Sequence, residues 1–200
     1  PAALAAAALL AAALTPALSL AQGRAEAVSG EEERHVSVND LGGVGLMQIR
    51  TARFGPDGLF NFGFSNAEPY NRIFFTVHIF PWMEATFRYT EVTNRLYSDY
   101  PWFSGYQSHK DRGADLKVRL MSESQYLPAV AVGIQDFLGT ASFASEYVVG
   151  SKRVGDFDVS LGMGWGYLGS SGDLPNPLAA VWSRLATRGG QSEAGIGGLP

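Results

Sequence analysis

The sequence contains no cysteine, which excludes disulfides, zinc thiolates and catalytic thiols for these 200 residues. Charge is also scarce: Lys, Arg, Asp and Glu make up 17% of the chain, below the roughly 25% that is typical of soluble domains. The formal net charge of -4 gives no electrostatic argument for a nucleic-acid partner. After the N-terminus there is no run of about 20 apolar residues, so no helical membrane span is predicted in the body of the chain.

The N-terminal residues have the composition of an export signal. Residues 1–21 are rich in Ala and Leu, contain the helix breaker Pro16, and end in the small-x-small triplet Ser19-Leu20-Ala21. This pattern predicts a signal peptide that is cleaved after Ala21, with a transmembrane anchor or an Ala-rich helix as alternatives. The polar and acidic residues 22–41 are predicted to form a flexible entry segment. Export implies a periplasmic, outer-membrane or secreted protein.

From residue 42 onward, apolar side chains alternate with polar or small ones in short runs, which is the pattern of strands with one apolar face. In ADLKVRLM, residues 114–121, three charged positions share one face of a strand, whereas a helical period would scatter them around a cylinder. Eight strand candidates occur: residues 45–50, 59–65, 72–80, 83–90, 114–121, 130–135, 145–153 and 156–169. The sequence predicts an all-β fold, with strands over 42–168 and a loop or truncated continuation over 169–200.

Two antiparallel architectures fit such strands, a soluble β-sandwich and a membrane β-barrel. The outer face of a sandwich should be rich in Lys, Glu and Thr, but here the less apolar faces often consist of small residues, as at Gly162, Gly164 and Gly166. Small residues suit the crowded interior of a closed barrel. The apolar faces are aromatic, and short turns at one end alternate with longer loops at the other. We therefore predict an antiparallel transmembrane β-barrel that is part of a larger barrel protein.

Charged side chains recur on the face that this barrel would turn inward. The predicted interior-facing set is Glu84, Arg88, Asp115, Lys117, Arg119, Glu146, Lys152 and Asp158. With four charges of each sign, the set can form a balanced network that fills the interior, because an unpaired buried ion costs several kcal/mol. The alternative is a polar track along which an anionic or neutral glycan moves.

The longest predicted loop, residues 93–112, is rich in aromatic residues with Asn, Asp and Gln nearby. Its aromatic residues are Tyr97, Tyr100, Trp102, Phe103 and Tyr106. This composition is typical of a surface that stacks on sugars. The alternative is a loop that folds over the barrel mouth with its rings packed on one another.

No catalytic, cofactor or metal constellation is predicted. Of the three histidines, His78 is expected to face the interior, within reach of Glu84 or Arg88. No motif marks the Ser or Asp partner that a hydrolase would need, and the Gly-rich stretches lack the Lys-Ser/Thr ending of a phosphate loop. We predict that the protein is not an enzyme; an outer-membrane barrel enzyme acting on lipid or glycan stays as an alternative.

Four stretches carry a family resemblance: IRTARFGPDGLFNFGFSNAEPYNR, PWMEATFRYTEVTNRLYS, KDRGADLKVRLMSESQYLPAVAVGIQDFLGTASFASEYVVGSKRVGDFDVSLGMGWGYLGS and DLPNP. They resemble the YjbH family over residues 42–188. The resemblance implies the N-terminal portion of a longer outer-membrane β-barrel protein that takes part in exopolysaccharide biosynthesis or export. It implies outer-membrane lipid, exopolysaccharide and other assembly proteins as partners, and it carries over no catalytic residue. Some relatives are lipid-anchored, whereas this sequence has no cysteine to lipidate. A general porin-like channel is the alternative function.

Overall fold

The computed structural model describes residues 37–138, 142–169 and 174–180. The predicted signal peptide, residues 22–36 of the predicted entry segment and most of the predicted C-terminal continuation lie outside the described residues. Strands dominate the part that is described. The elements are β1 (Gly45–Leu46), β2 (Ile49–Arg50), β3 (Phe60–Ala67), β4 (Tyr70–Phe80), β5 (Met83–Leu96), α1 (Pro101–Ser104), β6 (Ser108–Met121), β7 (Ala129–Gln135), β8 (Ser145–Val154), β9 (Phe157–Gly166) and a 3-10 helix (Pro177–Ala180).

The all-β, antiparallel fold predicted from the alternating pattern is confirmed. Strands β3 to β9 form a seven-stranded sheet in sequence order, and each strand pairs antiparallel with the next. Each of the eight predicted strand regions contains strand structure, although β1 and β2 form a separate two-stranded sheet. Strands β5 and β6 are longer than predicted, because their pairing continues as far as Val92↔His109 and Leu96↔Ser108, beyond the clean alternation.

The sheet is strongly curved, but closure into a barrel is not seen among the described residues. Strands β3 and β9 are its two edges, and no pairing joins them in the described part of the chain. The Phe143 ring contacts Tyr70 of β4, with ring centroids 5.8 Å apart, and Tyr167 just after β9, at 5.2 Å. In a flat sheet β4 and β9 would lie about 24 Å apart, at about 4.8 Å per strand. The sheet therefore curls so that its two ends approach one another.

One face of the sheet, called the covered face from here on, lies beneath residues 37–56, called the inner segment. This face is polar. Its buried side chains include Thr76, His78, Glu84, Thr86, Arg88, Lys117, Gln135 and Ser151. Strand periodicity places these residues together, since every second side chain along a strand points to the same face.

The opposite face, called the open face, is apolar and exposed. Its side chains include Phe60, Phe62, Phe64, Ile73, Phe75, Phe87, Val159, Leu161 and Met163. Phe64 and Leu161 are each 82% exposed. The sheet is thus reversed with respect to a water-soluble sandwich, in which the apolar face is buried and the polar face is wet.

No helix among the described residues is both long and apolar enough to span a membrane.

Small residues on the covered face make room for the larger side chains that share it. Gly133 of β7 is the register partner of Tyr147 of β8, and a Cβ atom at Gly133 would overlap the Tyr147 ring. By contrast, a Cβ atom at Gly150 of β8 would come no closer than 3.7 Å to any neighbouring atom.

Gly133→Ala is therefore expected to lower the free energy of unfolding by about 1–3 kcal/mol, because the Tyr147 ring must move or strain. Urea unfolding of the full-length protein, followed by tryptophan fluorescence, measures this loss. Gly150→Ala is the matched control and should change stability little. Equal losses in the two variants would contradict a close contact between Gly133 and the Tyr147 ring.

Candidate functional site

The centre of the covered face holds an ion pair between Glu84 of β5 and Lys117 of β6. The two residues are register partners on adjacent strands, so their side chains lie on the same face. The Nζ atom of Lys117 lies 3.1 Å from Oε1 of Glu84, and both side chains are almost completely buried. Because a buried ion without its partner is strongly destabilising, each of these two charges requires the other.

The same ion pair binds the backbone of the inner segment. The N–H group of Val44 donates to Oε2 of Glu84 at 3.0 Å, and the carbonyl oxygen of Val44 accepts from Nζ of Lys117 at 3.1 Å. Lys117 also donates to the carbonyl oxygen of Arg53 at 3.0 Å. The ion pair thus satisfies backbone groups that a neighbouring strand would otherwise have to satisfy.

Hydroxyl groups of the sheet extend this attachment from β3 to β8. The contacts are Ser65 Oγ to the carbonyl of Asp40 (2.8 Å), Thr76 Oγ1 to the carbonyl of Gly42 (2.6 Å), and the N–H of Ala52 to Ser151 Oγ (2.8 Å). Apolar contact is concentrated at one place, where Ala52 and Phe54 pack on Ala129, Ala131 and Val149. The interface between inner segment and sheet is therefore mostly polar.

The last residues of the predicted entry segment lie within the described part of the chain and contact the sheet. Residues 37–41 were expected to be flexible, but Asn39 is buried and accepts a hydrogen bond from the N–H of Leu41 at 2.9 Å. Asp40 accepts the hydrogen bond from Ser65. Sequence reasoning missed this packing because the contacts are hydrogen bonds of polar residues, which leave no hydrophobic period to detect.

The structure brings six of the eight predicted interior charges to the covered face. They are Glu84, Arg88, Asp115, Lys117, Arg119 and Asp158. Arg88 pairs with Asp115 at 2.6 Å, and Asp158 pairs at 2.7 Å with Arg53 of the inner segment. The cations of Lys117 and Arg119 both contact the Phe54 ring, at 4.7 and 4.6 Å from its centroid. Each of the six thus has a local partner.

The predicted orientation of Glu146 and Lys152 is corrected. The register places Glu146 beside Trp165, and Lys152 beside Val159, on the open face. In β8 the larger apolar side chain of Tyr147 points to the covered face instead, where Gly133 leaves space for it. Because the period of a strand is two residues, this choice turns Glu146 and Lys152 to the open face, whereas Arg153 lies on the covered face beside its register partner Asp158.

A second charged cluster lies where the β6–β7 loop meets the end of β8. The Glu123 carboxylate accepts from Arg53 at 2.5 Å, from Lys152 at 3.0 Å and from the N–H of Arg153 at 2.9 Å. Partial burial alone would raise the pKa of Glu123, but these hydrogen bonds outweigh burial and hold that pKa below its ordinary value. Sequence reasoning missed Arg53 and Glu123, since both lie outside the regular strands.

The aromatic loop, residues 97–107 between β5 and β6, presents its rings to solvent. Exposed fractions are 55% for Tyr97, 62% for Tyr100, 83% for Trp102, 70% for Phe103 and 86% for Tyr106. Trp102 meets Tyr100 in a tilted contact, with centroids 5.9 Å apart, and Phe103 in an edge contact, at 6.3 Å. The rings touch one another without burying themselves against the sheet.

His78 lies on the covered face opposite Glu84, as the alternation indicated. Its Nε2 atom is 3.4 Å from Oε2 of Glu84, and its ring meets the edge of Phe54 with centroids 6.2 Å apart. The side chain is 0% exposed. In the described ranges, no group of His, Asp and Glu residues has the arrangement of a metal site.

Comparison with known proteins gives a consistent family match. A family model named YjbH, with the description "Exopolysaccharide biosynthesis protein YbjH", matches residues 37–198. The protein "Uncharacterized lipoprotein YjbH" of Escherichia coli (strain K12) is 47% identical over 152 residues, which are 76% of this chain and 22% of that protein. The chain therefore spans about a fifth of the length of this relative. No solved structure matches the chain.

Lys117→Met should destabilise the folded protein by about 3–5 kcal/mol, because it leaves the Glu84 carboxylate buried without a counterion. It also removes two hydrogen bonds from the inner segment. We expect faster trypsin cleavage after Arg50 and Arg53, together with a lower urea midpoint.

The matched control is Lys110→Met, on the same strand but on the open face. It should leave both measurements nearly unchanged. Adding Glu84→Leu to Lys117→Met should recover part of the lost stability, since no charge of the pair then remains unpaired, while the N–H of Val44 loses its acceptor. A Lys117→Met variant that resists trypsin like the wild type would show that the ion pair does not hold the inner segment.

Proposed function

The chain belongs to the YjbH family of exopolysaccharide biosynthesis proteins, and we propose that it forms part of an outer-membrane β-barrel protein taking part in biosynthesis or export of an exopolysaccharide. The reversed sheet is the observation that supports this proposal. Ions and hydroxyl groups lie on its covered face, and Phe, Leu, Ile and Val side chains lie exposed on its open face. Water is a poor solvent for the open face, whereas outer-membrane lipid is a good one.

Strand length and order also support a membrane barrel. A transmembrane strand needs about 9–11 residues, and β4, β8 and β9 have 11, 10 and 10. Consecutive antiparallel neighbours are the order that bacterial outer-membrane barrels use. The matched relative has most of its length outside the 22% that this chain covers, and we propose that further strands from that length pair with β3 and β9.

The longest connections of the sheet lie at one of its ends. There the loops at 97–107 and 136–144 are long, although residues 68–69 join β3 to β4 in a two-residue turn; at the other end two-residue turns follow β4 and β8, at residues 81–82 and 155–156, and seven residues, 122–128, join β6 to β7. Outer-membrane barrels have short periplasmic turns and longer extracellular loops. In the proposed orientation, the aromatic loop therefore lies on the extracellular side.

The proposed partners are outer-membrane lipid at the open face, the exopolysaccharide, and other exopolysaccharide assembly proteins. The name of the Escherichia coli relative, which calls it a lipoprotein, supports an exported, membrane-associated protein. We propose a non-enzymatic role, since on the covered face Glu84 pairs with Lys117, Arg88 pairs with Asp115, and Asp158 pairs with Arg53 of the inner segment. His78, the histidine nearest to that network, is fully buried.

A general porin is the second candidate function, supported by the polar covered face. It is the weaker candidate, because the inner segment occupies that face and the six charges on it have local partners. The two candidates differ in what they predict for conductance: a porin opens an ion current in planar bilayers, and Lys117→Glu or Arg119→Glu would change its ion selectivity.

Deleting the gene should lower extracellular polysaccharide without changing the permeability of the outer membrane to small solutes. Cell-free carbohydrate and the entry rate of a chromogenic β-lactam measure the two quantities. The full-length gene supplied from a plasmid should restore the polysaccharide. Unchanged polysaccharide with a lowered rate of solute entry would instead establish the porin.

Val118→Arg should destabilise the protein in the membrane by about 2–4 kcal/mol, because it places a cation on the lipid face. Val118 pairs with Val132 within the apolar surface of the sheet. Val154→Arg is the matched control, because Val154 ends β8 beside the turn, where the cost should be about 0–1 kcal/mol. Urea unfolding of the full-length protein in lipid vesicles measures both changes, and equal costs would argue against a bilayer on the open face.

A further inference from the structure

We propose that the aromatic loop, residues 97–107, is a binding site for a neutral stretch of polysaccharide, which it holds by stacking its rings on the apolar faces of sugar units. This inference rests on the proposed function, because it names the class of ligand that the aromatic loop would bind on the extracellular side. It goes beyond a general role in biosynthesis or export, because it places a binding site on named residues.

The loop has a backbone that is internally hydrogen-bonded. The N–H of Tyr97 donates to the carbonyl of Gln107 at 2.8 Å and closes its base. The N–H of Tyr100 donates to Ser98 Oγ at 3.1 Å, and the N–H of Phe103 donates to the carbonyl of Tyr100 at 3.0 Å. These bonds shape the loop without drawing the rings inward, so a ligand would meet a largely preformed surface.

The rings leave their faces accessible. The planes of Tyr100 and Trp102 are inclined by 54°, and those of Trp102 and Phe103 by 74°. None of these contacts is face to face, so each ring keeps a face toward solvent. A pyranose ring has a flat face of C–H groups, and stacking that face on an aromatic ring removes apolar area from water on both sides.

The charge of the loop selects a neutral ligand. Its sequence, YSDYPWFSGYQ, contains one acidic residue, Asp99, and no Lys or Arg. A polyanionic glycan or an anionic lipid headgroup needs cations to bind, and the loop supplies none. The exposed carboxylate of Asp99, the amide of Gln107 and the tyrosine hydroxyls can instead hydrogen-bond sugar hydroxyl groups.

The composition also argues against hydrocarbon as the ligand. The open face, which we assign to lipid, is rich in Leu, Ile, Val and Phe. The aromatic loop contains no Leu, Ile or Val, and three of its five aromatic residues are tyrosines. Rings with a polar edge suit a hydrated glycan better than an acyl chain.

Affinity electrophoresis of the full-length protein in detergent, through native gels containing dextran, pullulan or galactomannan, tests this proposal. We expect retardation by at least one of these neutral polymers. Trp102→Ala combined with Tyr106→Ala should weaken that binding about tenfold or more, since each ring contributes apolar contact area. Trp102→Phe keeps a ring and should bind nearly as well as the wild type.

Tyr126→Ala is the matched control. Tyr126 is 84% exposed, but it lies in the loop at the opposite end of the sheet and should not affect binding. The proposal is overturned if none of the neutral polymers binds, or if the double variant binds as the wild type does. It is also overturned if the protein binds the polyuronate alginate and not the neutral polymers. The same holds if the double variant loses binding only to phosphatidylethanolamine vesicles.

This assay measures binding and does not depend on secretion. Its failure would leave the effect of gene deletion on extracellular polysaccharide intact. Loss of the deletion effect, with ring-dependent binding retained, would instead remove the proposed role in biosynthesis or export.

Discussion

The ion pair of Glu84 and Lys117 is the interaction on which the arrangement of the covered face depends. Two charges withdrawn from water are favourable only when their remaining hydrogen-bonding capacity is also used. Here the inner segment uses that capacity, through both backbone groups of Val44 and the carbonyl of Arg53. The dependence is mutual, because a buried backbone group such as the N–H of Val44 also needs a hydrogen-bond partner. The covered face and the inner segment are therefore joined by polar contacts, and most of the apolar side chains of the sheet lie on the open face.

The strands, and for most of them which side chains share a face, could be predicted from the sequence, because the two-residue alternation of a strand is visible in a short stretch of residues. ADLKVRLM is an example: its three charges lie on the covered face, and Leu116 and Val118 lie on the other. The prediction failed in β8, where both possible inward faces mix apolar and polar residues. Tyr147 points to the covered face, where its register partner Gly133 leaves space for the ring, and that pairing is a property of the register of two strands.

The attachment of the inner segment could not have been predicted by the same means. Its contacts join residues far apart in the chain, as between Arg53 and Asp158. They use hydroxyl and charged side chains, which are just as common on solvent-exposed surfaces.

The aromatic loop is an intermediate case. Its composition pointed to a stacking surface, but composition could not distinguish rings packed over the sheet from rings turned outward. The exposed fractions of the five rings decide this in favour of exposure.

The inner segment is joined to β3 by residues 57–59 alone. It therefore acts as a ligand tethered beside its own receptor, and a short tether gives such a ligand an effective concentration in the millimolar range or above. A free solute or polymer that makes similar hydrogen bonds to the covered face must exceed that concentration to take its place. The covered face is thus closed to weak binders by mass action, without any need for the segment to be held irreversibly.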